Sequence, residues 1–209
     1  MADGGAQAQG KRRRLSPEER RAEIVDAAVA YFAEVGLDGD TRTLARRLGV
    51  TQSLIFNYFA TKADLLEAVY ARVYLGRLSP DWPALIADRS LPVGVRMRRF
   101  YHAYTEAIFT YEWMRIFMFS GLAGAQLNRR YLDHVRELIL EPMLGELRAE
   151  GGCFADLDIE DLWALHGGLV YIGIRRFIYL TATPEDPRPA IDRTIARFLA
   201  ASRATERGR

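Results

Sequence analysis

A stretch of 22 residues, 41–62, holds Thr41, Arg42, Thr43, Gln52, Ser53, Leu54, Phe56, Asn57, Tyr58 and Lys62. These side chains share one kind of chemistry. A glutamine amide can pair twice with an adenine edge, and an arginine fork can do the same with guanine. A leucine can lie against a thymine methyl, while hydroxyls and an ammonium can hold phosphate oxygens. Nothing here pairs a nucleophile with a base. The chemistry is recognition, and it needs one surface to carry all of these groups.

The spacing offers such a surface. Counting from Thr41, Ala45 is fifth, Gly49 ninth and Ile55 fifteenth, the pattern of a helix-turn-helix. A small residue at Ala45 lets the following helix cross close by. Gly49 supplies the left-handed backbone of a sharp turn. Leu44, Leu48 and Ile55 fill the wedge, so the polar residues are forced outward. The start of such a second helix enters the major groove. Spacing alone also fits a packed helical hairpin with a solvated charged face, and both readings stand at this point.

The elements that hold this stretch can be read from caps and periodicity. Ser16, Pro17 and Glu19 open a first helix with the stripe Ile24, Ala28, Phe32, and Gly36 ends it. Asp40 caps a second helix over 41–48, Thr51 a third through Tyr58, and Thr61 with Asp64 a fourth to about Leu78. The segment "SPDWP" then breaks the pattern and marks a domain boundary. Further helices are expected from Pro92 (long), around Trp113 (shorter), over 126–150 with a kink at Pro142, over 158–180, and along Ile191, Ile195, Phe198 and Leu199. No period-two alternation occurs. The fold class is all-α with about nine helices. The expected organisation is a disordered basic arm at 1–15, a helix-turn-helix domain at 16–78, a larger helical ligand-binding and dimerisation domain at 79–203, and a flexible tail at 204–209.

"TRTLARRLGVTQSLIFNYFATKADLLEAVY" resembles the DNA-binding region of the TetR family of bacterial transcriptional regulators. The likeness rests on Leu44-Ala45, Gly49-Val50, Phe56-Asn57-Tyr58-Phe59, and Lys62 with Asp64 and Leu65. It implies a homodimer whose last two long helices pair in a four-helix bundle. It also implies a ligand cavity in the second domain and release from a palindromic operator when ligand binds. By position, Arg42 and Gln52 are then base readers, Ser53 and Leu54 lie at the groove, and Thr41 and Lys62 touch phosphates. Two departures stand out: Phe56 replaces a usual tyrosine, and Asp40 a common threonine.

In the second domain, Tyr104, Phe109, Trp113, Phe117, Trp163, His166 and Tyr171 are the candidate ligand-binding residues. An aromatic cavity suits a flat or hydrophobic compound. Aromatics at helical spacing also build ordinary cores, and His166 fits either role. Ala164, Gly167, Gly168 and Gly173 allow close approach of another helix, as a dimer seam requires.

The remaining composition narrows the class. A net charge of +2 favours no partner by itself, though a basic cluster stands at 11–14. The single Cys153 allows no internal disulfide, and His102, His134 and His166 lack metal-ligand spacing. No cofactor and no metal are expected. The apolar run 162–174 is shorter than the ~20 residues a bilayer needs, and the amino terminus lacks a secretory core, so a cytoplasmic protein without membrane contact is expected. Catalytic motifs are missing, and no enzyme activity is expected. The leading function is a ligand-responsive DNA-binding regulator, a repressor whose partners are an operator duplex and a small hydrophobic or aromatic effector. The alternative is an α-helical small-molecule binding protein whose DNA-binding role is lost or secondary.

Overall fold

The computed structural model describes residues 15–122 and 126–204. The basic cluster at 11–14 and the tail at 205–209 lie outside the described residues. The described residues are helical, with no strand among them.

Helix α1 spans Pro17–Val35 and starts in a reciprocal cap. Glu19 N–H donates to Ser16 Oγ over 3.1 Å, and Ser16 N–H donates to the Glu19 carboxylate over 2.7 Å. Ile24, Ala28 and Phe32 are fully buried along one stripe. Helix α2 (Thr41–Leu48) packs against α1, and helix α3 (Gln52–Tyr58) packs against α2. Helix α4 (Lys62–Val73) opens on the Thr61/Asp64 box and is followed by a 3-10 turn at Leu75–Arg77. Tyr70 and Tyr74, at the end of α4, are already buried among the rings of the second domain. One helix and its extension thus join the two halves.

The break expected at "SPDWP" contains a further short helix, α5 (Trp82–Ala87), with Pro83 in its first turn. Proline fits there because that N–H has no partner inside a helix. Trp82 is buried and packs edge-on against Phe100, with centroids 5.4 Å apart. Tertiary packing of this ring, rather than local propensity, turns a proline-rich break into an ordered element.

Helices α6 (Val93–Ile108) and α7 (Tyr111–Leu122) follow. Helix α8 (Gln126–Val135) runs through a π-helical turn at Arg136–Leu140 into α9 (Glu141–Ala149). This π-helical turn lies directly before Pro142, where a kink is expected. Pro142 has no N–H for the carbonyl four residues back, and Glu141 N–H donates instead to Arg136 O, five residues back. Helices α10 (Ile159–Phe177) and α11 (Arg188–Ala204) complete the chain. Helix α10 ends three residues before the expected Leu180, which takes a left-handed φ of +52°. Arg96, on α6, is 3% exposed and is held by Ile86 O at 2.6 Å and Glu146 Oε2 at 2.8 Å, tying α5, α6 and α9 together. The bonds from Arg89 and Arg96 hold the Glu146 carboxyl down at about 2.

Candidate nucleic-acid interface and effector core

The turn between α2 and α3 is closed by its glycine. Gly49 sits at φ +68°, its N–H donating to Arg46 O, while Val50 N–H reaches back to Ala45 O at 3.0 Å. These two bonds satisfy carbonyls left open at the end of α2. Leu44, Ala45 and Ile55 are buried in the wedge. Asp40 accepts from Thr43 N–H at 2.8 Å and caps α2, and this bond lowers the pKa of its carboxyl. Thr51 Oγ1 accepts from Leu54 N–H at 3.2 Å and caps α3.

The outward residues divide into free and engaged groups. Arg42, Ser53, Phe56 and Asn57 are exposed, and Arg42 makes no ion pair among the described residues. Thr43, Leu54, Tyr58 and Lys62 are half-buried on the same side. Lys62 opens α4 with its ammonium 5.8 Å from the Phe32 ring centroid, so stem and charge are directed. Gln52 donates its amide to Thr41 Oγ1 at 2.8 Å. Thr41 is only 7% exposed, and its hydroxyl anchors Gln52. Of the neighbouring arginines, Arg46 donates to Thr43 Oγ1 at 2.8 Å. Arg47 forks onto Glu34 at 2.5 and 3.0 Å and lies over the Tyr31 ring. Arg47 thus braces α2 against α1.

The second domain holds a connected set of buried rings. Tyr104 OH and Tyr131 OH are 2.6 Å apart, and Tyr104 OH lies 3.3 Å from His166 Nε2. Trp113 stacks on Phe117 with centroids 5.0 Å apart, and its edge meets Tyr131 and Tyr74. Trp163 stands edge-on to His166 at 5.7 Å. Of the seven candidates, Tyr104, Trp113, Phe117, Trp163 and His166 therefore meet in one network. Phe109 does not join it. It lines a cleft of about 530 Å³ with His102, Glu106, Arg176 and Arg188. Tyr171 turns outward, 49% exposed, beside Tyr179 and Arg175. Sequence reasoning missed Tyr74 and Tyr131. Their signal was the inward stripe of an amphipathic helix, as in Tyr131 and Val135 on α8.

The ring network is neutral and under-paired. Tyr101 OH, Trp113 Nε1 and His166 Nδ1 are buried without a hydrogen-bond partner in the protein, while the Tyr74 and Ser120 hydroxyls face each other. Each such group costs roughly 1–3 kcal/mol when left unpaired. Burial raises the pKa of the Tyr101 and Tyr104 hydroxyls and pulls His166 down to about 4.

Helix α7 links this network to the DNA-facing half. Trp113 and Phe117 face the rings, while Arg115 on the same helix donates to Ala33 O at 2.5 Å and Glu34 O at 3.2 Å, at the end of α1. Tyr111 and Phe119 hold the Arg115 guanidinium at 5.2 and 5.0 Å. The backbone of Glu34 is thus gripped by α7 and its carboxylate by Arg47 of α2.

The described residues thus form a helical chain with an exposed helix-turn-helix near its amino-terminal end. Residues 24–69 match the family described as bacterial regulatory proteins, tetR family. The match covers the helix-turn-helix together with most of α1 and α4. The whole chain is similar in fold to solved regulators. The fatty acid degradation regulator FadR from Bacillus halodurans superposes with a TM-score of 0.68 at 17% identity, covering 90% of this chain and 97% of that one. A TetR-like transcriptional regulator from Rhodococcus sp. RHA1 gives 0.65 at 18% identity, covering 90% and 99%. The ketosteroid transcriptional regulator KstR2 of Mycobacterium tuberculosis gives 0.60 at 19%, covering 91% and 96%. Among the described residues, no helix is long and apolar enough to cross a membrane.

Proposed function

We propose that the chain is a homodimeric transcriptional repressor that leaves a palindromic operator when a small molecule enters its second domain. The observation that carries this reading is the outward set on α2 and α3. Arg42 and Asn57 are exposed and Gln52 is oriented by Thr41, while Leu44, Ala45 and Ile55 between them are buried. A solvated surface has no need to orient an amide. In this reading Arg42 and Gln52 read bases, Ser53, Leu54, Phe56 and Asn57 line the groove, and Thr43, Tyr58 and Lys62 hold the backbone. Thr41 serves by positioning Gln52.

Pairing of α10 and α11 across a two-fold axis is supported by what α10 leaves outside. Ala164, Gly167, Gly168 and Tyr171 are exposed on one face, and a Cβ at either glycine would meet nothing within 4 Å. Ile191 and Ile195 of α11 are buried within the protomer, which leaves Ala196 and Ala200 on its outer side. Small residues let backbones approach closely. The effector belongs with the ring network of Tyr104, Trp113, Phe117, Trp163 and His166, and its apolar lining matches hydrophobic compounds. Two of the similar structures, regulators of fatty acid degradation and of ketosteroids by their names, favour the same class.

Footprinting on DNA flanking the protein's own gene tests the proposal. A protected, two-fold symmetric site is expected. Uniform, sequence-blind protection would leave only a nonspecific DNA binder.

A further inference from the structure

The effector reading leaves open what kind of molecule the second domain takes, and the buried polar atoms bear on that. The inference rests on the proposed effector role. Tyr101 OH and Trp113 Nε1 both carry a proton to donate, each belongs to a side chain no more than 1% exposed, and neither has a protein partner. They belong to rings in mutual contact. Tyr101 packs against Tyr104, Tyr104 meets Tyr131 through its hydroxyl, and Tyr131 packs against both Tyr74 and Trp113. Buried donors of this kind call for an acceptor that the protein itself does not supply.

Charge narrows the class. His166 is the titratable nitrogen in contact with the network, and burial holds it neutral at pH 7. The buried cation of the same domain, Arg96, is already bonded to Ile86 O and Glu146, with Glu150 3.6 Å away. A carboxylate entering the rings would find no free positive charge, and an ammonium would find no carboxylate.

A way in lies beside the network. A mostly apolar crevice of about 150 Å³ is lined by Leu78, Pro80, Trp82, Pro83, Leu138 and Ile139, with Ser79 and His134 as its polar members. Trp82 forms its inner wall and packs on Tyr104, with centroids 5.6 Å apart. Leu138 and Ile139 come from the π-helical turn, a departure from regular helix that recurs at functional sites. The Trp82 indole thus stands between this crevice and the Tyr104 ring.

We propose that this crevice, gated by Trp82, admits a small uncharged molecule with an apolar body and a carbonyl group, and that the unpaired Tyr101 hydroxyl donates to its oxygen. Tyr101 is the donor that tests the idea best, because its hydroxyl is unpaired in the free protein. Removing an unpaired buried hydroxyl is nearly neutral or stabilising, whereas removing a ligand contact weakens binding.

The probes are 2-heptanone and heptanoate, titrated into the full-length protein with tryptophan fluorescence and thermal unfolding as readouts. 2-Heptanone should bind at least tenfold more tightly than heptanoate. Tyr101→Phe should keep or raise the melting temperature of the free protein while weakening 2-heptanone at least threefold. Trp82→Ala should leave the dimer folded and speed 2-heptanone association. Equal or tighter binding of heptanoate overturns the proposal, as does failure of 2-heptanone to bind at millimolar concentration, or unchanged affinity in Tyr101→Phe. Operator binding measured in parallel separates the two readings. A ketone that binds without releasing DNA supports the ligand class and removes the effector role, whereas DNA binding with no ketone bound removes the ligand class alone.

Discussion

The Gln52 side-chain amide donates to the Thr41 hydroxyl over 2.8 Å, so the residue placed to read a base is held by the first residue of the preceding helix. The bond spans the turn, and it sets the direction of a side chain that would otherwise sample several rotamers. Thr41→Val keeps the buried shape and removes the anchor. It should weaken binding to the preferred operator by about 1 kcal/mol per half-site, from one missing hydrogen bond, while Thr41→Ser should retain most of the affinity. Fluorescence anisotropy on matched duplexes checks this, and an unaffected Thr41→Val would mean that Gln52 needs no positioning.

Arg42 and Arg47 should part company on mutation. Arg42 is free at the surface, and Arg42→Ala should lose about 1–3 kcal/mol per half-site and relax preference at one base pair. Arg47 is committed to Glu34 and Tyr31. Arg47→Ala should lower thermal stability only slightly, as for an exposed ion pair, and leave base preference intact. Loss of base preference in Arg47→Ala would reverse the assignment.

Lys62 should act without regard to sequence. Lys62→Ala is expected to weaken all duplexes alike. It should reduce the slope of log K against log salt by about 0.9 for each phosphate that the ammonium no longer neutralises. A change in base preference would instead place Lys62 at a base edge.

The caps at Ser16, Asp40, Thr51 and Thr61 were legible because each depends on residues two or three positions away. The wedge of Leu44, Ala45 and Ile55 was legible for the same local reason. Tyr171 was not, because α10 is apolar around much of its circumference and periodicity cannot fix which ring turns inward. Leu169 is buried and Tyr171 exposed on that one helix. The role of Arg47 depends on how α1 crosses α2, and its partner Glu34 lies 13 residues away. The order at Trp82 depends on Phe100 and Tyr104 from α6. Such facts are set by tertiary packing, which no local pattern contains.

His166 gives a pH signature. Its folded pKa of about 4 lies below the ordinary 6.5, because burial disfavours the charged form. The unfolded chain therefore binds the proton first, and stability that is full above pH 6.5 should be lost as pH falls toward 4. The loss at the low end is about 3 kcal/mol. His166→Asn, which does not titrate, should flatten that part of a denaturant-midpoint profile. A variant with the wild-type slope would show that other groups carry it.

Arg115 should couple the halves. Arg115→Met keeps the aliphatic stem between Tyr111 and Phe119 and removes the bonds to Ala33 O and Glu34 O. It should cost ~1–2 kcal/mol and speed amide exchange at the end of α1 more than in α10. Equal acceleration in both helices would indicate global destabilisation instead.

Selection from a random duplex library tests DNA reading by α2 and α3 most directly. The full-length protein and the double variant Arg42→Ala/Gln52→Ala are selected side by side. The wild-type protein should enrich a two-fold symmetric site with half-site centres about 34–36 Å apart, or wider by part of a turn. The double variant should lose that preference while keeping its fold and its salt-dependent affinity for DNA. Enrichment of no sequence by the wild-type protein, or of the same site by both, would contradict the assignment of base reading to this face.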